Sequence, residues 1–186
     1  TALQLASDRI LDVGAGSGCH SLALQAAGKE VEAIDISPLS VEAMRRRGVG
    51  QAVQANFFSD SFCGAYDTLL MLMNGSGIIG RLENLPAFFR KAKQLLRPGG
   101  SILMDSSDLR YIYEDEDGAM DIDLNARYYG ELDFRMQYKK VKGAPFGWLY
   151  VDFDTLAGYA RESGFRAELV AEGEHYDYLA RLSALK

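Results

Sequence analysis

The sequence predicts an α/β domain built on a mostly parallel sheet with helices on both faces. Three observations predict it. Short apolar runs closed by glycine or turn signals alternate with helical periods along residues 9 to 105. The run at residues 66 to 73 carries no polar side chain after Thr68, which suits a central strand covered on both faces. A length of 186 residues accommodates one domain with a sizeable insertion, and not a second full domain.

The first strand covers residues 9 to 13, and a glycine-rich turn leads into a helix at 21 to 27 that stops at Gly28. Residues 31 to 36 repeat the strand signal. Ser37 then caps a helix opened by Pro38, whose fixed backbone angle suits the first helical position, and Gly48 ends it after Arg47. Strands three and four follow at 51 to 55 and 66 to 73. Residues 84 to 96 have amphipathic helical spacing with Pro86 in the first turn, and Arg97-Pro98-Gly99-Gly100 separates them from a fifth strand at 101 to 105. Parallel neighbours need such crossovers. The alternation fails between about Ser106 and Leu149. Two alternating segments there, 128 to 140 and 146 to 151, flank Val141-Lys142-Gly143-Ala144-Pro145 and predict a hairpin inserted before the last helix, at 154 to 163. Strands at 165 to 172 and 176 to 184 enclose the turn Gly173-Glu174-His175, so they are antiparallel neighbours.

Composition excludes several function classes. No apolar run approaches the ~18 residues that span a bilayer, and no basic stretch precedes an apolar one at the start, so the sequence reads as cytoplasmic with no membrane partner. Cys19 and Cys63 lack CxxC spacing and have only His20 and His175 as soft companions, so no metal is expected. The net charge is −6; residues 1 to 105 hold 10 basic and 10 acidic side chains, and residues 106 to 186 hold 10 and 16. Such a surface repels nucleic acid, and none is expected as a partner. The run Glu114-Asp115-Glu116-Asp117 reads as a solvated loop, and Arg45-Arg46-Arg47 as cations at a helix end.

Chemistry concentrates at the first turn. Gly14, Gly16 and Gly18 follow a GxGxG spacing between strand and helix, whereas a dinucleotide diphosphate prefers GxGxxG; the later position here is Cys19. Asp12, just before the turn, repels phosphate and attracts an amine. Asp35 ends the next strand, 21 residues after Gly14, where a carboxylate accepts both hydroxyls of a ribose. These residues ask for a nucleoside without phosphates that carries positive charge. The alternative is that the glycines serve helix packing alone.

From these residues onward the chain resembles the class I S-adenosylmethionine-dependent methyltransferases. The resemblance rests on LDVGAGSG from Leu11, VEAIDIS from Val31, QANFF from Gln54, the strand ending LMNG at Gly75, LLRPGG from Leu95, and the closing strand-turn-strand from Gly164. It implies a Rossmann-like seven-stranded sheet of order 3-2-1-4-5-7-6 with the last strand antiparallel, and S-adenosyl-L-methionine as cofactor, leaving as S-adenosyl-L-homocysteine. It further implies that Asp12 meets the methionine amine, Gly14, Gly16 and Gly18 pass beneath the ligand, Asp35 holds the ribose, Ile36 packs on the adenine, Asn56 accepts from its amine, and Phe57 covers the ring. Asn74 falls where the family places polar contacts near the departing methyl, but the DPPY-like tetrapeptide of adenine and glutamine N-methyltransferases is replaced by Asn74-Gly75-Ser76-Gly77. The family also sets a helix ahead of strand 1; here strand 1 begins about eight residues in, and part of the lid is expected to be missing.

Substrate choice is expected from residues 106 to 150, read as a roof within the single domain. They contain Tyr111, Tyr113, Tyr128, Tyr129, Tyr138 and Tyr150, with the sole tryptophan, Trp148. Cross-strand aromatic pairing explains some of these, and Tyr128, Tyr129 and Trp148 are the candidate substrate contacts. His20, on the first turn of the helix after the glycines, is the candidate base together with Asn74; His20 also reads as an ordinary helix-start residue. The expected function is methyl transfer to a small molecule. The alternatives are a protein or RNA acceptor, which needs an open groove, and a non-catalytic cofactor-binding regulator.

Overall fold

The computed structural model describes residues 1–115, 117, 119 and 125–185. In chain order its helices are α1 (Ala2–Leu5), α2 (Cys19–Ala26), α3 (Pro38–Arg47), α4 (Leu85–Leu95) and α5 (Phe153–Glu162). The strands are β1 (Arg9–Val13), β2 (Glu30–Asp35), β3 (Gln51–Gln54), β4 (Tyr66–Met71), β5 (Leu96–Ser107), β6 (Glu131–Phe134), β7 (Gln137–Tyr138), β8 (Val141–Lys142), β9 (Phe146–Leu149), β10 (Phe165–Glu172) and β11 (Asp177–Ala184).

Seven of these form one sheet, ordered β10-β11-β5-β4-β1-β2-β3. Counted within the sheet, this is the expected 3-2-1-4-5-7-6. The first five strands are mutually parallel, and β11 runs antiparallel to both β5 and β10. The two-residue strand period divides β4 between two cores. Leu69 and Met71 join the cluster under α4 and α5, while Leu70 faces Ile10, Leu103 and Leu24 of α2 on the other side. Helix α4 buries Leu85, Phe88, Phe89, Ala92 and Leu95, a single stripe at helical spacing. Each large side chain in that stripe contributes roughly 1.5 to 3 kcal/mol by leaving water.

Ser37 caps α3 by accepting from the Ser40 N–H, and Gly48 ends it at φ 95°. The three arginines there each find a local partner: Arg45 donates to the Ala52 carbonyl, Arg46 pairs with Glu42, and Arg47 donates to the Ser17 carbonyl. Gly18, at φ 79°, lets α2 approach α3, since a Cβ there would lie 2.7 Å from Val49 and 3.0 Å from Met44.

Several boundaries differ from the sequence reading. Helix α2 begins at Cys19, two residues early, because Gly18 already supplies the turn. Strand β4 stops at Met71, because Met73 and Asn74 leave the strand at φ 68° and 57°. Strand β5 extends from Leu96 to Ser107, absorbing Pro98 and the glycines through a register shift opposite Tyr66 and Thr68. The inserted hairpin consists of two ladders, β6 with β9 and β7 with β8. Val141 and Lys142 are thus strand residues and the chain reverses at Lys139-Lys140, where Lys139 adopts φ 53°. Of the acidic run, Glu114, Asp115 and Asp117 are exposed and Glu116 lies outside the described residues.

The hairpin is fixed to the segment after β4. Ser76 Oγ donates to the Leu149 carbonyl at 2.9 Å, the Leu82 N–H donates to Glu131 at 2.8 Å, and Arg81 pairs with Glu131 and Asp133. Trp148 lies directly on Gly77, where any Cβ would collide with the indole. Gly77→Ala is therefore expected to displace Trp148 and cost about 1 to 3 kcal/mol of stability by overpacking. Because Trp148 is the only tryptophan, the displacement is read as a red shift of intrinsic fluorescence; an unchanged spectrum would contradict the packing described.

Candidate functional site

Four consecutive strand ends, those of β3, β2, β1 and β4, open on one edge of the sheet, the side where α/β sheets bind ligands. A cavity of about 600 Å³ lies there. Of the residues singled out from sequence, Gly14, Asp35, Ile36, Asn56, Phe57, Asn74 and Trp148 line it. A second cavity, of about 500 Å³, sits at the β10–β11 edge among Asp108, Glu172, Glu174 and Asp177, and none of the sequence-assigned site residues line it.

The glycine turn is bound to β2 by main-chain bonds: the Gly14 and Ala15 N–H groups donate to the Ile34 carbonyl at 2.9 and 3.0 Å. Gly14 adopts φ 70°, and a Cβ there would lie 2.5 Å from the Ile78 side chain. Gly16, at φ 56°, meets nothing within 4 Å, so its backbone is open to close approach. Asp35 closes this half of the cavity. One carboxylate oxygen accepts from the Gly16 N–H at 2.9 Å and the other from the Ser37 N–H at 2.8 Å. Each oxygen keeps a further lone pair for a ligand hydroxyl.

Asp12 does not line the cavity. It is buried beneath the turn, 2% exposed, and accepts from Ser21 Oγ at 2.5 Å. Burial raises its pKa, against the opposing effects of the Ser21 hydrogen bond and the His20 charge. Gly16 and Gly18 are not among the residues that line the cavity, and His20 is half-buried on α2, also outside the lining. Beside it, the exposed Cys19 thiol is held below its ordinary pKa by hydrogen bonds from Arg47 and Ser17.

Asn56 is exposed and its amide oxygen already accepts from the Phe58 N–H at 2.9 Å, which leaves one lone pair. Phe57 packs inward on Phe88 with ring centroids 5.6 Å apart, and Phe58 is the more exposed of the pair. Tyr128 and Tyr129 stand away from the cavity. Their hydroxyls donate to Asp152 at 2.5 Å and to Asp108 at 2.8 Å, a polar cluster that anchors the base of the hairpin. Burial pushes both phenols above their ordinary pKa.

The other half of the cavity comes from Asn74 and Trp148 together with residues that the sequence reading did not assign to the site: Leu72, Met73, Gly75, Gly77 and Ile78 after β4, and Phe146 and Gly147 of the hairpin. Met73 and Asn74 are consecutive non-glycine residues in left-handed backbone, at a cost of about 1 to 2 kcal/mol each. Asp105, two residues before the end of β5, accepts from the Met73 N–H at 3.0 Å and the Gly75 N–H at 2.9 Å. Its pKa is raised by burial, against these main-chain bonds and the charge of His20.

Comparison with known proteins follows this geometry. Residues 10–100 match a family described as "Methyltransferase domain". The crystal structure of an S-adenosylmethionine-dependent methyltransferase from Bacteroides fragilis, solved with S-adenosyl-L-homocysteine, is 66% identical, covers all of this chain and 76% of its own, and superposes with a TM-score of 0.94. The chain belongs to the S-adenosylmethionine-dependent methyltransferases. Among curated methyltransferases, a ubiquinone biosynthesis O-methyltransferase of Xanthomonas euvesicatoria is 31% identical over 116 residues, 57% of this chain and 46% of the relative. A cypemycin N-terminal methyltransferase of a Streptomyces species is 30% identical over 102 residues, 53% of this chain and 42% of the relative. The chain thus spans less than half the length of these curated methyltransferases. Among the described residues no helix is long and apolar enough to cross a membrane.

Asp12 permits a test of the electrostatics. A carboxyl whose folded pKa exceeds its unfolded value binds its proton more tightly when folded, so its contribution to stability is greatest in acid and falls as pH rises from the ordinary 3.8 through the raised value. Asp12→Asn keeps an acceptor for Ser21 and removes the charge. The variant is expected to melt above the parent at neutral pH, the difference shrinking towards pH ~4. Thermal melts across that range check it, and a lower melting temperature at neutral pH would overturn the assignment.

Proposed function

We propose that this chain binds S-adenosyl-L-methionine in the 600 Å³ cavity and transfers its methyl group to a small-molecule acceptor enclosed by the hairpin. The observation that carries the reading is Asp35. Its two oxygens are each oriented by one backbone N–H, at the end of β2, with the open Gly16 backbone beside them. This suits a nucleoside: the carboxylate takes the ribose hydroxyls, and the unobstructed glycine lets the ligand approach the main chain. Ile36, 71% exposed at the cavity edge, offers an apolar face to the adenine, with Asn56 accepting from its amine. Phe58, more than the inward-packed Phe57, is placed to cover that ring.

The bound sulfonium supplies an electrophilic methyl that an acceptor displaces in line, the sulfur keeping the electron pair. The chain's task is then to align the acceptor and exclude water. Trp148, Phe146 and Met73 supply apolar walls on the acceptor side, and the carboxylates behind the lining, Asp12 buried under the glycine turn and Asp105 behind Met73 and Gly75, favour a cationic ligand over a diphosphate. A nitrogen or carbon acceptor needs no base in the transfer step, whereas a hydroxyl does, and His20 on α2 is the residue to test for it. The roofed cavity favours a small acceptor over a protein or RNA group.

Calorimetry tests the cofactor. Saturable binding of S-adenosylhomocysteine with no response to NAD is expected, and the reverse would sink the reading. Charge-assisted hydrogen bonds contribute about 1.5 to 3 kcal/mol, so Asp35→Ala should weaken that binding roughly 10- to 150-fold. A change under about threefold would mean that the ribose lies elsewhere.

A further inference from the structure

We propose that Asp105 is a positioning residue of the transfer site, holding the left-handed turn after β4 in the shape that receives the amino-acid end of the cofactor. The inference rests on the cofactor reading above.

Four observations meet at this residue. First, its two carboxylate oxygens divide the work: one accepts from the Gly75 N–H at 2.9 Å and the other from the Met73 N–H at 3.0 Å. Main-chain N–H groups turned to one side form a concavity for an anion, and Asp105 fills it from within the protein. Second, the turn is strained at Met73, whose side chain has no preference for left-handed backbone. Met73 and Asn74 both adopt positive φ without being glycine, and Met73 is 77% exposed, so packing of its side chain does not hold it. Third, the neighbours of Asp105 reinforce the same turn. Ser107, on the same face of β5, donates to the Asn74 side-chain oxygen at 3.0 Å, and Ser106, on the opposite face, accepts from Ser76 at 2.7 Å and from the Val151 N–H at 2.9 Å. Fourth, Met73, Asn74, Gly75 and Gly77 all line the cavity.

The sheet order says which part of the ligand this turn serves. Asp35 ends β2 and the turn follows β4, with β1 and its glycine turn between them. A nucleoside whose ribose sits on Asp35 therefore extends its other end across β1 towards Met73–Gly75. Disturbing Asp105 should harm recognition of that end and spare the nucleoside. A purely structural carboxylate would affect both alike.

The experiment compares S-adenosylhomocysteine with adenosine, which lacks the amino-acid end, by calorimetry on the wild-type chain, Asp105→Ala and Asp105→Asn. Asp105→Ala should weaken S-adenosylhomocysteine at least 10-fold and adenosine less than threefold. Asp105→Asn keeps one acceptor oxygen and should fall between. In parallel, Trp148, packed on Gly77 two residues beyond the turn, should emit further to the red in both variants without ligand. Equal losses for the two ligands, or unchanged affinity and emission, would overturn the proposal. Failure of Asp105→Asn to fold would overturn it too, since the carboxylate would then be a requirement of the fold rather than of the site. A wild-type chain indifferent to S-adenosylhomocysteine would instead sink the cofactor reading, and the Trp148 emission alone would then decide whether Asp105 shapes the turn.

Discussion

The chain leaves β4 through two left-handed residues, and much of the ligand side depends on how that departure is stabilised. Main-chain N–H groups released from a ladder must find acceptors, and here those of Met73 and Gly75 find the Asp105 carboxylate on the adjacent strand. Once the turn is fixed, Gly75, Ser76 and Gly77 follow in a short 3-10 helix whose lack of side-chain bulk admits Trp148. The hairpin then has a seat. Its main chain is held through Ser76 and Ser106, and the base of the insertion is held through Tyr128 and Tyr129 on Asp152 and Asp108. The cavity thus has a floor and a roof joined through one strand end.

How much of this was legible follows from the range of each signal. The sheet was readable because strand, turn and helix alternate locally, and because Ser37-Pro38, Gly28, Gly48 and Gly164 mark boundaries by backbone chemistry alone. Asp35 was readable because its place at a strand end and its distance from Gly14 are both properties of sequence. Asp105 was not, since its meaning depends on two N–H groups about thirty residues away. The tight packing of Gly77 likewise appears only once Trp148 is known to lie on it. Tyr128 and Tyr129 illustrate the opposite failure. Aromatic enrichment suggested ligand walls, but a half-buried phenol needs a partner for its hydroxyl, and two buried carboxylates outcompete a cavity for that role. Burial raises the pKa of Asp152, yet hydrogen bonds from Thr155, Tyr128 and Tyr129 leave it below the ordinary value, the sign of a satisfied anion.

The glycine turn settles a finer question of spacing. In the dinucleotide fingerprint the third glycine serves close helix packing, and its expected position here is occupied by Cys19. Gly18 takes that duty one residue earlier, against Val49 and Met44, so the shorter GxGxG spacing keeps the packing function while shifting the helix start. What changes is the charge below the turn. Asp12 is buried and carries a raised pKa, an arrangement that costs stability and is unsuited to a diphosphate.

The two halves of the cavity are therefore built differently. On the β1 and β2 side, glycines adopt positive φ without steric penalty and bonds from main-chain N–H groups to Ile34 and Asp35 fix the geometry, so this half is low in strain. On the β4 and β5 side, non-glycine residues hold strained backbone against the Asp105 carboxylate and the Ser107 hydroxyl, and the wall is completed by a hairpin whose β7 and β8 ladder is exposed. Strain held by few contacts is easily redistributed by substitution. Residues 72 to 75 and 146 to 148 can therefore vary without touching the main-chain N–H groups that orient Asp35, whereas Ile78 packs at Gly14 and is tied to that turn.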